Sequence, residues 1–75
     1  MDYRQEMKDE ERARIRDYQE EIDNYKDDLR RLDNKIETAF DDDIADLEMQ
    51  KDTIQEEIDY LEKAIQEAKE RLENI

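Results

Sequence analysis

A pair of heptad seams constrains the fold of this chain more than any other feature. Apolar side chains recur at alternating steps of three and four residues from Ile15 to Ala39, and again from Ile44 to Ile75. Each run exceeds three heptads, which is the length that indicates a coiled coil. No glycine or proline interrupts either run, and no segment alternates as a strand would. The sequence therefore predicts an all-α fold.

The two seams do not share one heptad frame, because Ile36 and Ile44 are eight residues apart where seven would keep the register. One long helix could absorb this step by unwinding locally at Phe40, which would give a parallel coiled-coil dimer. The alternative is an antiparallel two-helix coiled-coil hairpin. Its seams would face each other in layers such as Ile22 with Leu61.

The residues around the break favour the hairpin. Asp41, Asp42 and Asp43 are poor residues for a helix interior but good ones for a helix start, where they can cap free amides and face the positive end of the helix dipole. We expect a single helical domain over residues 1–75, with a first helix at about 3–39, a turn at about 40–43 and a second helix at about 44–75. The missing glycine at the end of the first helix counts against the hairpin, although aspartate tolerates the left-handed conformation better than most residues.

The composition predicts that the hairpin associates further. With 75 residues, no cysteine and no histidine, the chain has neither disulfides nor the usual zinc ligands to support a small core. We therefore expect a homo-oligomer, such as a four-helix bundle, or a complex with a partner protein. The chain has no apolar run of membrane length and no signal peptide, which favours a cytoplasmic protein without a membrane partner. Its start at Met1 and in-register end at Ile75 would fit a complete small protein rather than a fragment.

Two regions of the chain allow alternative interpretations. Residues 1–14 lack an apolar seam, so they are expected to form a solvated, frayed helix extension; alternatively, Tyr3 and Met7 form a contact for a partner. Lys51 is the only charged member of the second seam. Its stem can pack while the ammonium reaches an acid at the edge of the seam, or it can select the register or the partner.

No catalytic, metal or cofactor site is predicted. A rod without histidine, cysteine or glycine offers neither an activated nucleophile nor a loop that cradles phosphate, so the chain is expected not to be an enzyme. The run from Asp41 to Asp43 lacks the alternating ligands and the central glycine of a calcium loop. No cofactor is expected.

A second apolar line on the later helix is the candidate docking surface. Its members lie outside the seam: Ala45, Met49, Thr53, Tyr60 and Ala64. Together with Asp41, Asp42 and Asp43 they form the candidate partner-binding set.

The charge balance indicates the class of partner. The chain carries 26 acidic and 13 basic residues, a net charge of −13, so it should bind neither nucleic acid nor an anionic membrane directly, but it can bind the basic proteins that do. In size and charge it is similar to small acidic inhibitors that occupy nucleic-acid grooves, including phage-encoded anti-restriction and anti-CRISPR proteins. The sequence therefore suggests a nucleic-acid-mimicking inhibitor. The alternative is a structural or chaperone-like coiled-coil adaptor that pairs with partner helices.

Overall fold

The computed structural model describes residues 3–75 as two antiparallel helices joined by a tight bend. Helix α1 spans Tyr3–Thr38 and helix α2 spans Asp41–Asn74. The helices pack side by side into a rod whose Cα atoms extend over 60 × 15 × 11 Å. The predicted all-α hairpin is confirmed. The alternative of one long helix is wrong, because the chain leaves helical geometry after Thr38.

The bend is shorter than predicted, since only Ala39 and Phe40 lie between the helices. Phe40 precedes α2 in an extended conformation (φ −77°, ψ 155°), and its carbonyl accepts hydrogen bonds from the amides of Asp43 (2.9 Å) and Ile44 (3.2 Å). No residue of the described chain has a positive φ. The missing glycine therefore does not count against the hairpin, because the extended Phe40 reverses the chain without a left-handed residue.

The second helix begins at Asp41 instead of Ile44. The three aspartates occupy its first turn, where carboxylates face the positive end of the helix dipole. The preceding residue makes no side-chain capping hydrogen bond. The aspartates were expected to cap free amides and to interact with the helix dipole. Because they lie inside the first turn, the favourable interaction that their position shows is the one with the dipole.

The core is a single seam between the helices. Its most buried part is formed by Ile22, Ile58, Leu61 and Ile65, which are 2 to 8% exposed. Side chains from both helices pack against this cluster: Ile15, Tyr18, Tyr25, Leu29 and Ile54. Two cross-helix ion pairs show the register, because Arg71 contacts Glu11 and Lys51 contacts Asp33. In the predicted layers, such as Ile22 with Leu61, the numbers of the two facing residues add up to 83. The two ion pairs give sums of 82 and 84, so the observed register agrees with the prediction within one residue.

The interface between the helices continues into the first fourteen residues, contrary to the prediction. Glu11 lies four residues before Ile15 and is 7% exposed, so the interface includes a charged layer that an apolar pattern cannot reveal. Tyr3 and Met7 are helical, with 72% and 37% of their surface exposed. Residues 1 and 2 of this segment lie outside the part of the chain that the structure describes.

Candidate acidic interaction surface

The bend places a strongly acidic tip at one end of the rod. Six acidic residues and no basic residue lie between Lys35 and Lys51. The three aspartates of the first turn of α2 are exposed, and Phe40 beside them is 83% exposed. This tip therefore presents negative charge around an aromatic ring that contributes nothing to the core.

A line of carboxylates continues from the tip along one flank of α2. These exposed side chains, called the acidic row below, are Glu48, Asp52, Glu56, Asp59 and Glu62. Steps of three or four residues keep them within about 120° of the helix circumference and about 5 to 6 Å apart. Asp41 falls on the same line. The tip and the acidic row thus form one continuous acidic surface.

The two helices differ in how their charges are compensated. Helix α1 carries 12 acidic and 9 basic residues, a net charge of −3, whereas α2 carries 13 acidic and 4 basic residues, a net charge of −9. Among residues 3–75, every ion pair uses a carboxylate of α1. Four of these pairs link residues three apart within α1, as between Arg30 and Asp27 at 2.6 Å. The carboxylates of α2 stay without an ion pair in this part of the chain.

Two basic side chains of α2 reach across to α1 instead of pairing with their own helix. Lys51 Nζ lies 2.5 Å from Asp33 Oδ1. This hydrogen bond is the main cause that raises the pKa of Lys51 above its usual 10.5; desolvation opposes the rise, and the charges of Asp33, Glu48 and Asp52 add to it. Lys51 therefore acts as predicted for a packed stem with its ammonium at an edge acid. Its role in selecting a partner stays a prediction.

Glu11 links the two helices at the open end of the hairpin. Its Oε1 accepts hydrogen bonds from Arg14 Nη1 at 3.0 Å and from Arg71 Nε at 3.2 Å, and the hydrogen bond to Glu11 raises the pKa of Arg71. The Oε2 atom of Glu11 is buried and has no hydrogen-bond partner among residues 3–75. Sequence reasoning missed this residue because it is charged, although its spacing of four from Ile15 was a usable signal.

The candidate partner-binding residues do not form one site. The three aspartates lie at the tip, and Met49 is 68% exposed on the outer side of α2, opposite the seam. Tyr60 and Ala64 line a shallow groove of about 140 Å³ with Lys63 and Glu67.

The remaining two residues of the set are Thr53 and Ala45. Thr53 is exposed and donates its hydroxyl hydrogen bond to the Met49 carbonyl at 3.1 Å. Ala45 is also exposed, on the side of α2 nearest the acidic row. The set thus extends from the acidic tip along the outer side of α2 and does not form one compact site.

Neither a metal site nor a membrane-spanning helix is found in the part of the chain that the structure describes. Residues 3–75 contain no group of three or more potential ligand side chains arranged to hold a metal ion. None of their helices is long and apolar enough to cross a membrane. Comparison with protein-family models, with curated proteins and with solved structures finds no match to this chain.

Proposed function

We propose that this protein is a non-enzymatic inhibitor that imitates a nucleic-acid strand and occupies the basic groove of a nucleic-acid-binding protein. The observation that carries the proposal is the uncompensated charge of α2, whose carboxylates form no ion pair among residues 3–75. Carboxylates that already have a cationic neighbour gain little from a second one. Carboxylates that have none are available to lysine and arginine side chains of a partner.

The charge spacing favours a single strand over a duplex as the imitated ligand. The net charges of the two helices, −3 and −9, add up to −12 over a rod of 60 Å, which is about one charge per 5 Å. Duplex DNA carries about one charge per 1.7 Å and one strand about one per 3.4 Å. Grooves that bind single strands also contain platforms on which bases stack. The exposed ring of Phe40 would occupy such a platform while the acidic row replaces phosphates.

Capture of binding proteins on the immobilised chain, followed by elution, tests this function. A decoy complex should release its partner to a single-stranded oligonucleotide and to rising salt, because both compete for the same basic side chains. Proteins that stay bound through about 0.5 M NaCl and resist the oligonucleotide would contradict the proposal, since exposed charge pairs are largely screened there.

Matched triple variants assign the interaction to α2. Neutralising Asp52, Glu56 and Asp59 to Asn, Gln and Asn should weaken the complex about tenfold or more. The control changes the same residue types on α1, with Asp17, Glu20 and Asp23 replaced in the same way. Both variants lose three negative charges, so equal effects would show that only net charge matters and that the acidic row is not the contact surface.

The second candidate function is a coiled-coil adaptor that pairs with helices of a partner or of further copies, for example in a four-helix bundle. The observation that favours it is the exposure of the seam near the bend, where Ile36, Ile44 and Leu47 are only half-buried. Association through these side chains would hold or tighten as salt screens the repulsion between acidic chains. Salt dependence therefore separates the two functions.

A further inference from the structure

Two neighbouring depressions beside the bend form one groove on a single side of the hairpin. Their volumes are about 390 and 320 Å³, and both are lined by Lys35 and Gln50. The apolar floor of this turn groove consists of seam side chains from both helices: Leu32, Ala39, Leu47 and Ile54. The turn groove therefore exposes the part of the seam that the hairpin does not cover by itself.

The same side of the rod carries the least charged row of α2. This row consists of Gln50, Thr53, Tyr60 and Ala64, with Glu57 as the only acidic residue among them. The acidic row lies on the opposite flank of α2. The small groove between Tyr60 and Ala64 continues this surface toward the open end. We call the side that includes both grooves the groove face.

The walls of the turn groove have opposite charges. Lys35 and Arg31 line it from α1, and Asp43 and Asp46 line it from α2. Arg31 is already paired with Asp28 at 3.3 Å, but Lys35 forms no ion pair within residues 3–75. A surface with a basic wall and an acidic wall is complementary to itself when a two-fold axis exchanges the walls.

We propose that the groove face binds a second copy of this chain, with the two-fold axis along the rod and both acidic tips at the same end. In this arrangement α1 of each copy lies against α2 of the other. In the hairpin register, Lys35 lies level with residue 48 of α2. Because the two copies are level with each other, the height difference along the rod between Lys35 of one copy and Asp46 of the other is about 3 Å. The two turn grooves close on each other, and the acidic rows stay outside.

Charge excludes the opposite orientation. A two-fold axis across the rod would place α2, with its net charge of −9, against α2 of the second copy. The proposed orientation instead sets α2 against α1, whose net charge is −3. Like charges brought together at an interface oppose association, so the parallel arrangement is the favourable one.

The available area is sufficient for such a dimer. A face of 60 × 15 Å offers a footprint of about 900 Å². A stable interface of standard size uses about 800 Å² from each partner. The inference rests on the association part of the proposed function and is independent of the decoy activity, because the acidic rows remain accessible.

Two single charge reversals test the contact between copies. Lys35→Glu alone sets two carboxylates against each other at both contacts, and Asp46→Lys alone sets two ammonium groups against each other. Each variant should therefore dimerise at least tenfold more weakly than the wild type. Mixing the two variants restores opposite charges at both contacts: the introduced glutamate meets the introduced lysine at one, and the unchanged Lys35 meets the unchanged Asp46 at the other. Light scattering and native mass spectrometry should show recovery of the dimer as the mixed species.

Two controls complete the charge-reversal experiment. Lys26→Glu changes the charge by the same amount on the opposite side of the seam and should leave dimerisation unchanged. Circular dichroism of each variant confirms that the helices are intact. A dimer that forms equally well in both variants, or that does not favour the mixed species, overturns the inference while leaving association itself standing. A wild type that stays monomeric up to millimolar concentration overturns both.

Orientation is tested on the same molecule. Asp42→Cys introduces the only thiol of the chain, and labelling it with a donor and an acceptor dye reports the distance between tips. Parallel copies should give high transfer efficiency. Low efficiency in a sample that light scattering shows to be dimeric would place the tips at opposite ends of a 60 Å rod and overturn the proposed orientation.

Discussion

The two halves of the hairpin differ in how well one seam can bury itself. The open half, residues 3–25 and 58–75, holds nearly all of the buried side chains, among them Ile22, Ile58 and Ala68. The turn half, residues 26–57, buries only Leu32. The turn half also carries a net charge of −7, against −5 for the open half.

The difference has a physical cause in the facing residues. In the open half, Ile22 packs with Ile58, Leu61 and Ile65, and the rings of Tyr18 and Tyr25 pack against this cluster. In the turn half, Leu32 faces Lys51, whose ammonium turns outward to Asp33, and the small Ala39 ends the seam. The seam of the turn half is therefore covered less completely than the seam of the open half. The turn half keeps an uncovered apolar floor that a second chain can use.

The largest expected effect is a loss of stability when a core side chain of the open half is truncated. Ile58→Ala should destabilise the hairpin by about 2 to 5 kcal/mol, because the isoleucine is 2% exposed and its removal leaves a cavity. Ile36→Ala in the half-buried turn half should cost clearly less. Urea unfolding followed by circular dichroism at low protein concentration, where dimers dissociate, measures both. Equal losses would show that the two halves contribute equally to stability.

A smaller effect on stability is expected from the buried carboxylate at the open end of the hairpin. Glu11→Leu should stabilise the hairpin by about 1 to 2 kcal/mol, since it removes a buried carboxylate with an unpartnered oxygen and extends the apolar seam. The exposed heads of Arg14 and Arg71 can return to water. Glu11→Gln serves as the control, because it keeps a buried polar group and loses the charge, and it should destabilise. A destabilising Glu11→Leu would mean that the ion-pair cluster itself supports the fold.

The smallest effect concerns pH in the turn half. The pKa of Lys51 is raised in the folded state, so its ion pair contributes stability that is complete below the usual value of 10.5 and disappears as pH rises through the higher folded value. The difference in melting temperature between the wild type and Lys51→Met should therefore be constant from about pH 6 to 9 and shrink above about 10.5. Melting curves across this range check the prediction. A difference that changes near neutral pH would assign it to another group.

Sequence reasoning reached the helices, their antiparallel packing and the layers of the seam, because periodicity reports which face of a helix is apolar. It placed the start of α2 at Ile44 because it assigned the aspartates to the turn, and the structure shows them inside the first helical turn. It missed Glu11 because a carboxylate in a seam has no apolar signature. It placed Met49 and Tyr60 on one flank of α2, and their spacing of eleven residues keeps them on one side of the helix, about 16 Å apart along its axis.

The sequence by itself determined that this chain is a helical, strongly acidic rod that reverses near Phe40, because heptad spacing, the absence of helix breakers and net charge are properties of the residues alone. Only the tertiary structure decided which charges are neutralised and which side of the rod is open. Those features depend on how two helices face each other: two cations of α2, Lys51 and Arg71, cross to α1, its carboxylates stay unpaired within residues 3–75, and the turn groove opens on one side.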